Sequence, residues 1–174
     1  EINSFPGGKM YTFFENTDIR IKKMIRKEGD NMTVHTQHLL EECNSGCKMA
    51  IRSMEQVSEY VEDEKLEQVI ESCKCAHEKL EEESGKLLEE CGKEEKEPGM
   101  IATAFSWIST ETKLAMKNSD NQIAKVLMDG CNMGIQSIGE YMNEYTGASE
   151  EAKKIAKKLV KLEENFMSDL KKFL

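Results

Sequence analysis

The stretch LEECNSGCKMAIRSMEQVSEYV, residues 40–61, decides the fold. Its small and apolar residues Leu40, Cys43, Cys47, Ala50, Met54, Val57 and Val61 recur at spacings of 3, 4, 3, 4, 3 and 4. That rhythm puts all seven on one face of an α-helix and leaves the charged residues outside. Extended back to Thr33, it predicts a helix over about 33–61, about 43 Å long at 1.5 Å per residue.

The pattern resumes after a four-residue break. Asp63 is placed to cap a second helix, with Glu64 at its positive end. Leu66, Ile70, Cys73, His77, Leu80, Ser84, Leu87 and Cys91 then alternate by 4 and 3, and Gly92 follows as a terminator. Two long helices joined by so short a turn must lie antiparallel. Pairing them about the turn sets Ala50 near His77, Cys47 near Leu80 and Cys43 near Ser84.

Beyond the charged linker 93–97 and Pro98-Gly99, a shorter segment over about 101–117 carries Ile101, Ala104, Phe105, Ile108 and Ala115 on one side. Ser119 with Gln122 forms a capping box for the next helix, whose seam is Ala124, Leu127, Cys131, Gly134, Ile138, Tyr141 and Tyr145, closed by Gly147. Ser149 caps the last, with seam Ala152, Ile155, Leu159, Leu162, Phe166, Leu170 and Phe173. Glu150 and Glu151 at its start and Lys171 and Lys172 at its end complement the helix dipole. No segment alternates like a strand. The expected fold is all-α: an antiparallel four-helix bundle of two helical hairpins with a shorter crossover helix, the ferritin-like connection.

Composition agrees. The chain has 174 residues, a formal net charge of −9 and 33% charged residues, the balance of long helices with solvated outer faces. An acidic surface excludes a general nucleic-acid binder, since phosphate attraction needs a basic one. No apolar run approaches the roughly 20 residues that span a bilayer, so no membrane partner is expected. Six cysteines in a chain of this length without a signal peptide are expected to be reduced, in the cytoplasm. Cys75, off the seam, is the thiol expected to be exposed.

Residues 1–31 differ. They are basic on balance, and Ile19 to Lys27 is only weakly amphipathic, so the expectation is a poorly ordered N-terminal extension. Lys27-Glu28-Gly29-Asp30-Asn31 can be encoded by a purine-rich ribosome-binding sequence at a usual distance before the codon of Met32. Residues 1–31 are therefore expected to be upstream or appended sequence, with residues 32–174 as the bundle domain.

From about Leu39 onward the chain resembles a bacterial family of ferritin-like four-helix-bundle proteins of unknown function. The resemblance is carried by Asp63-Glu64-Lys65-Leu66, the Glu-rich second helix ending in Cys91-Gly92, Pro98-Gly99, Trp107, Lys113 and Gly130. It implies a fold and no assigned activity. Where that family has a Gly-Glu pair early in its fourth helix, this chain has Gly130-Cys131.

Di-iron members of such folds use inward Glu residues and Glu-x-x-His pairs. The histidines here are His35, His38 and His77, and none follows a Glu by three. The assigned seams of the first, fourth and fifth helical segments hold no Asp, Glu or His, so a di-iron centre is not expected. What the seams hold is sulfur. Cys43 and Cys47 share a face, Cys73 and His77 share another, and thiolates with an imidazole suit Cu(I) or Zn(II). The candidate ligands are Cys47, His77, Cys43 and Cys73, with Cys47 and His77 the closest pair. Against that, reduced cysteine behaves as a small buried hydrophobe. The leading expectation is a non-catalytic bundle without a cofactor, acting through assembly with copies of itself or through contacts with a protein partner. Soft-metal binding is the alternative.

Overall fold

The computed structural model describes residues 9–92, 116–117 and 119–174, with side chains described essentially from Thr33 onward. Four α-helices pack against one another: α1 (Lys9–Ser58), α2 (Glu64–Glu90), α3 (Asp120–Glu144) and α4 (Glu150–Leu170), followed by a 3₁₀ turn at Lys171–Phe173. No strand occurs among the described residues.

The caps fall where the sequence places them. Asp63 Oδ1 accepts from the N–H groups of Lys65 (2.7 Å) and Leu66 (3.2 Å). Ser119 Oγ accepts from Gln122 and Ser149 Oγ from Ala152, so α2, α3 and α4 each start on a side-chain acceptor for an otherwise unpaired donor. Gly92 has φ +73°, the left-handed conformation that closes α2 at no steric cost.

Three elements differ from expectation. Helix α1 begins at Lys9 rather than near Thr33, so the helical backbone runs through most of the stretch expected to be poorly ordered. A helix satisfies its backbone locally, and Lys, Arg and Met have high helix propensity. Gly147 does not close α3 with a left-handed turn. It lies against α1 instead, where an added Cβ would sit 3.3 Å from His35 Nδ1. On α2, Leu88 rather than Leu87 is the fully buried leucine. Of the expected crossover helix over 101–117, all but Met116 and Lys117 lie outside the described residues, and Met116 is buried.

Hydrogen bonds fix the direction of each helix. Gln37 Nε2 donates to the Cys91 carbonyl (2.9 Å), and Asn44 Nδ2 donates to Ser84 Oγ (3.1 Å), so α1 and α2 are antiparallel in the register that sets Cys43 near Ser84. The Glu62 N–H donates to Asp120 Oδ1 (3.0 Å), which puts the start of α3 beside the end of α1. At the other end the Gly147 N–H donates to His35 Nδ1 (3.2 Å) and the Ser149 N–H to Thr36 Oγ1 (2.9 Å). Helix α4 therefore runs parallel to α1, and α3 parallel to α2. Helix α2 packs on α1 and α4, α3 packs on the same two, and α2 and α3 occupy opposite corners. The chain leaves α2 at one end of the bundle and enters α3 at the other.

The core falls into two apolar clusters. One gathers Met54, Val57, Leu66, Ile70, Leu127 and Phe166 toward the 59–63 turn. The other gathers Leu39, Leu40, Cys43, Leu80, Ile155 and Leu159 toward the 145–149 turn. Within the second, Asn44 is 2% exposed, and its amide donates both to Ser84 Oγ and to the Glu81 carbonyl (3.0 Å). Those two bonds tie α1 to α2 inside the core, where a net hydrogen bond is worth about 1 kcal/mol. Asn44→Ala should cost about 2 kcal/mol, and the melting temperature followed by circular dichroism should fall by about 4–8 °C. An unchanged midpoint would show that this contact does not hold the first hairpin together.

Candidate functional site

Between the two clusters lies one polar layer. Counting along each helix from its buried neighbours, the layer takes Ala50 from α1, His77 from α2, Gly134 from α3 and Glu163 from α4. His77 is fully buried and Glu163 is 7% exposed. His77 Nε2 stands 3.1 Å from Glu163 Oε1. An added Cβ on Gly134 would stand 3.4 Å from that same Oε1, an ordinary contact distance, so α3 lies directly beside the carboxyl. Two small residues on α1 and α3 thus face two large polar ones on α2 and α4.

The ring's other nitrogen settles where its protons lie. His77 Nδ1 is 3.0 Å from the Cys73 carbonyl, and a carbonyl only accepts, so Nδ1 carries a hydrogen. The Nε2···Oε1 contact then holds a single proton, on the imidazole as half of an ion pair or on the carboxyl as half of a neutral one. Either way both groups are satisfied, which buried polar groups require. The Cys131 thiol is also hydrogen-bonded to the Glu163 carboxyl.

Around this pair the thiols stay protonated. Burial first, and then the charge of Glu163, push up both Cys73 and Cys131. Burial, reinforced by Cys43, Glu163 and Glu81, does the same at Cys47. Burial with Glu42 pushes Cys43 up to about 12. A nucleophilic or redox cysteine needs the opposite surroundings, a cationic partner or a helix N-terminus that favours thiolate. All six cysteines are free, with Cys75 and Cys91 the partly exposed ones.

The sequence-derived ligand set does not converge as expected. His77 is expected to meet Cys47 across the hairpin. It contacts Cys73 instead, one turn back on its own helix, with Sγ 3.5 Å from Nδ1. Its cross-helix partner is Glu163, and Ser84 Oγ is engaged with Asn44 and the Glu81 carbonyl. Among the described residues no group of three or more His, Cys, Asp or Glu side chains is placed to hold a metal ion.

Glu163 is the residue that the sequence reading misses. The last helix offers Leu162 and Glu163 side by side, and apolarity assigns Leu162 to the seam. The buried series is Ala156, Leu159, Glu163, Phe166 and Leu170, spaced 3, 4, 3 and 4. The unbroken period through a charged residue is the signal that was available. The correction matters, because one seam expected to be free of carboxylates carries one at mid-bundle.

Beside the layer a cleft of about 270 Å³ opens between α1 and α3. Small residues cut it: Gly46, Ala50 and Ser53 on α1, and Gly130, Gly134 and Ser137 on α3. His77, Cys131 and Glu163 lie at its polar floor, while Leu127, Ile138, Leu159 and Phe166 supply apolar wall. At its rim the Tyr141 hydroxyl is hydrogen-bonded to Glu42, and Met133 is 54% exposed. A concave, largely apolar site with a few convergent polar groups is the usual form of a small-molecule pocket.

No family model matches the chain, and neither a curated protein nor a solved structure matches it. Among the described residues no helix is long and apolar enough to cross a membrane.

A buried pair that loses one member leaves the other uncompensated. His77→Leu or Glu163→Leu alone should cost about 3–5 kcal/mol in urea unfolding, whereas the double substitution should cost far less than their sum. Additive losses would show that the two residues are not coupled. The thiols give a second check. At pH 8 a group titrating at about 12 is thiolate in about one molecule in ten thousand, so Cys43 is unreactive. A disulfide reagent should label two thiols per native chain rapidly, Cys75 and Cys91, and the other four only after unfolding. Rapid labelling of Cys73 or Cys131 would contradict the burial described.

Proposed function

We propose that this chain is a non-catalytic helical bundle that works by binding, taking a small apolar molecule into the cleft between α1 and α3. The observation that carries this reading is the cleft itself: about 270 Å³ of open space beside a buried, internally satisfied polar pair. The volume corresponds to about nine waters, each with a share of about 30 Å³, and exceeds the roughly 150 Å³ cavity that suffices for benzene. Binding extends the sequence-derived expectation that the protein acts through contacts rather than chemistry. Exposed Met133 at the rim supports it, since thioether side chains adapt to varied apolar ligands.

The chemistry of the floor argues for binding over turnover. His77 has both ring nitrogens engaged, and the neighbouring thiols are held protonated. The copper or zinc alternative needs several thiolates converging with the imidazole, and it loses ground to a layer whose partners are already matched. One imidazole and one carboxyl at mid-bundle also fall short of the paired Glu-x-x-His sets of di-iron bundles. Within this reading the fold is a ferritin-like bundle without its iron centre. The parallel course of α2 and α3 supports that connectivity, as does the resemblance in sequence.

Propylbenzene, with nine non-hydrogen atoms, is a suitable probe of the cleft. Titration calorimetry should give saturable binding of one molecule per chain, with a Kd in the range of about 0.1–1 mM given the ligand-efficiency ceiling for small ligands. Ser53→Leu, which places an isobutyl group in the cleft, should abolish it. Absence of binding to the wild type, or binding that survives Ser53→Leu, would overturn the reading.

A further inference from the structure

We infer that the cleft selects amines: its ligand is a small aromatic or alkyl body carrying one protonated amino group that is received by Glu163. This rests on the cleft being a binding site, as proposed above, and adds the chemistry that it recognises.

The charge around the opening sets the sign. Among the described residues two carboxyl groups line the cleft, Glu163 at the floor and Glu42 at the rim, and no Lys or Arg does. A carboxylate ligand would meet both acidic groups without a cationic partner of its own, because the His77 ring is already committed to Cys73 and Glu163. A cation meets the reverse situation. Glu163 also retains acceptor capacity. In the ion-paired form of the His77 contact its carboxylate offers about four lone-pair sites, and the contacts described use two, one toward His77 Nε2 and one toward the Cys131 thiol. An N–H donor is what that remaining capacity takes.

Position adds to charge. Gly134 places no side chain between α3 and the carboxyl, so the approach to Oε1 from that helix is limited by a backbone without a Cβ. Rim and floor also differ in kind. Glu42 is half-buried and already accepts from Tyr141, whereas Glu163 is 7% exposed in a low-dielectric surround where a charge-assisted hydrogen bond is stronger. Phe166 and Met54, which line the cleft, supply the polarisable wall that suits an aromatic body or an ammonium group.

Three probes of similar size separate the parts of this inference: propylbenzene, 2-phenylethylamine and phenylacetate, each titrated calorimetrically into the full chain at pH 7. The amine should bind at least about tenfold more tightly than propylbenzene, and phenylacetate more weakly than either. Glu163→Gln, which keeps a hydrogen-bonding group of the same shape beside His77, should erase the amine's advantage over propylbenzene. Glu42→Gln should preserve it. Propylbenzene binding with no gain for the amine would overturn the amine selectivity while leaving the cleft as a binding site. An advantage lost in Glu42→Gln but kept in Glu163→Gln would overturn the assignment to Glu163. Failure of all three probes would overturn both.

Discussion

An imidazole and a carboxyl 3.1 Å apart in the middle of a helical bundle cannot be treated as filler, because each would be costly to bury without the other. That constraint organises the molecule. His77 and Glu163 come from α2 and α4, and the layer is completed by Ala50 and Gly134, two of the smallest side chains available. Bulk on the α2–α4 side is balanced by its absence on the α1–α3 side. The apolar core divides above and below this layer into two clusters, and the pair fixes how α2 and α4 sit against each other in rotation and in height. Surface ion pairs such as Lys158 with Glu83 join the same two helices, but in solvent they contribute little.

The cleft is a consequence of the same balance. Where α1 and α3 contribute small residues in succession, their backbones do not close on one another, and the space opens toward solvent between them. The polar pair thus serves two ends: it satisfies itself within the core, and it presents an acidic oxygen to whatever enters from the α1–α3 side. The layer needs no catalytic role to account for its geometry. His77 and Glu163 are each other's partners, and the thiols nearby are held in the form that neither attacks nor ligates.

Much of this was legible in the sequence. The 3–4 spacing from Leu40 to Val57 gave the first helix its buried face, and the short break at residues 59–63 gave the antiparallel register later seen in the Asn44–Ser84 contact. The caps at Asp63, Ser119 and Ser149 followed from hydrogen-bonding chemistry alone. What escaped was how polar residues at core positions pair, and one such residue altogether. Glu163 stood beside Leu162, and a reading that ranks candidates by apolarity chooses the leucine. His77 was placed on the seam without its partner, since the partner lies 86 positions away on a helix where that one seam position had been given to Leu162. The N-terminal bound of α1 escaped for another reason: a helix can propagate where no amphipathic pattern asks for it.

The separation in sequence between the members of each contact also bears on the order in which the molecule forms. Each hairpin closes through a turn of about five residues, so α1 with α2, and α3 with α4, can associate through near-neighbour encounters. Among the described residues the bonds that join one hairpin to the other span 58, 75, 86, 112 and 113 positions. Docking of two preformed hairpins is then the late event, and it is the step at which His77 and Glu163 must shed their water before they gain one another. The desolvation cost of the layer falls on that step's barrier and its benefit on the docked state. The feature that specifies the packing of the bundle is therefore also what slows its final assembly.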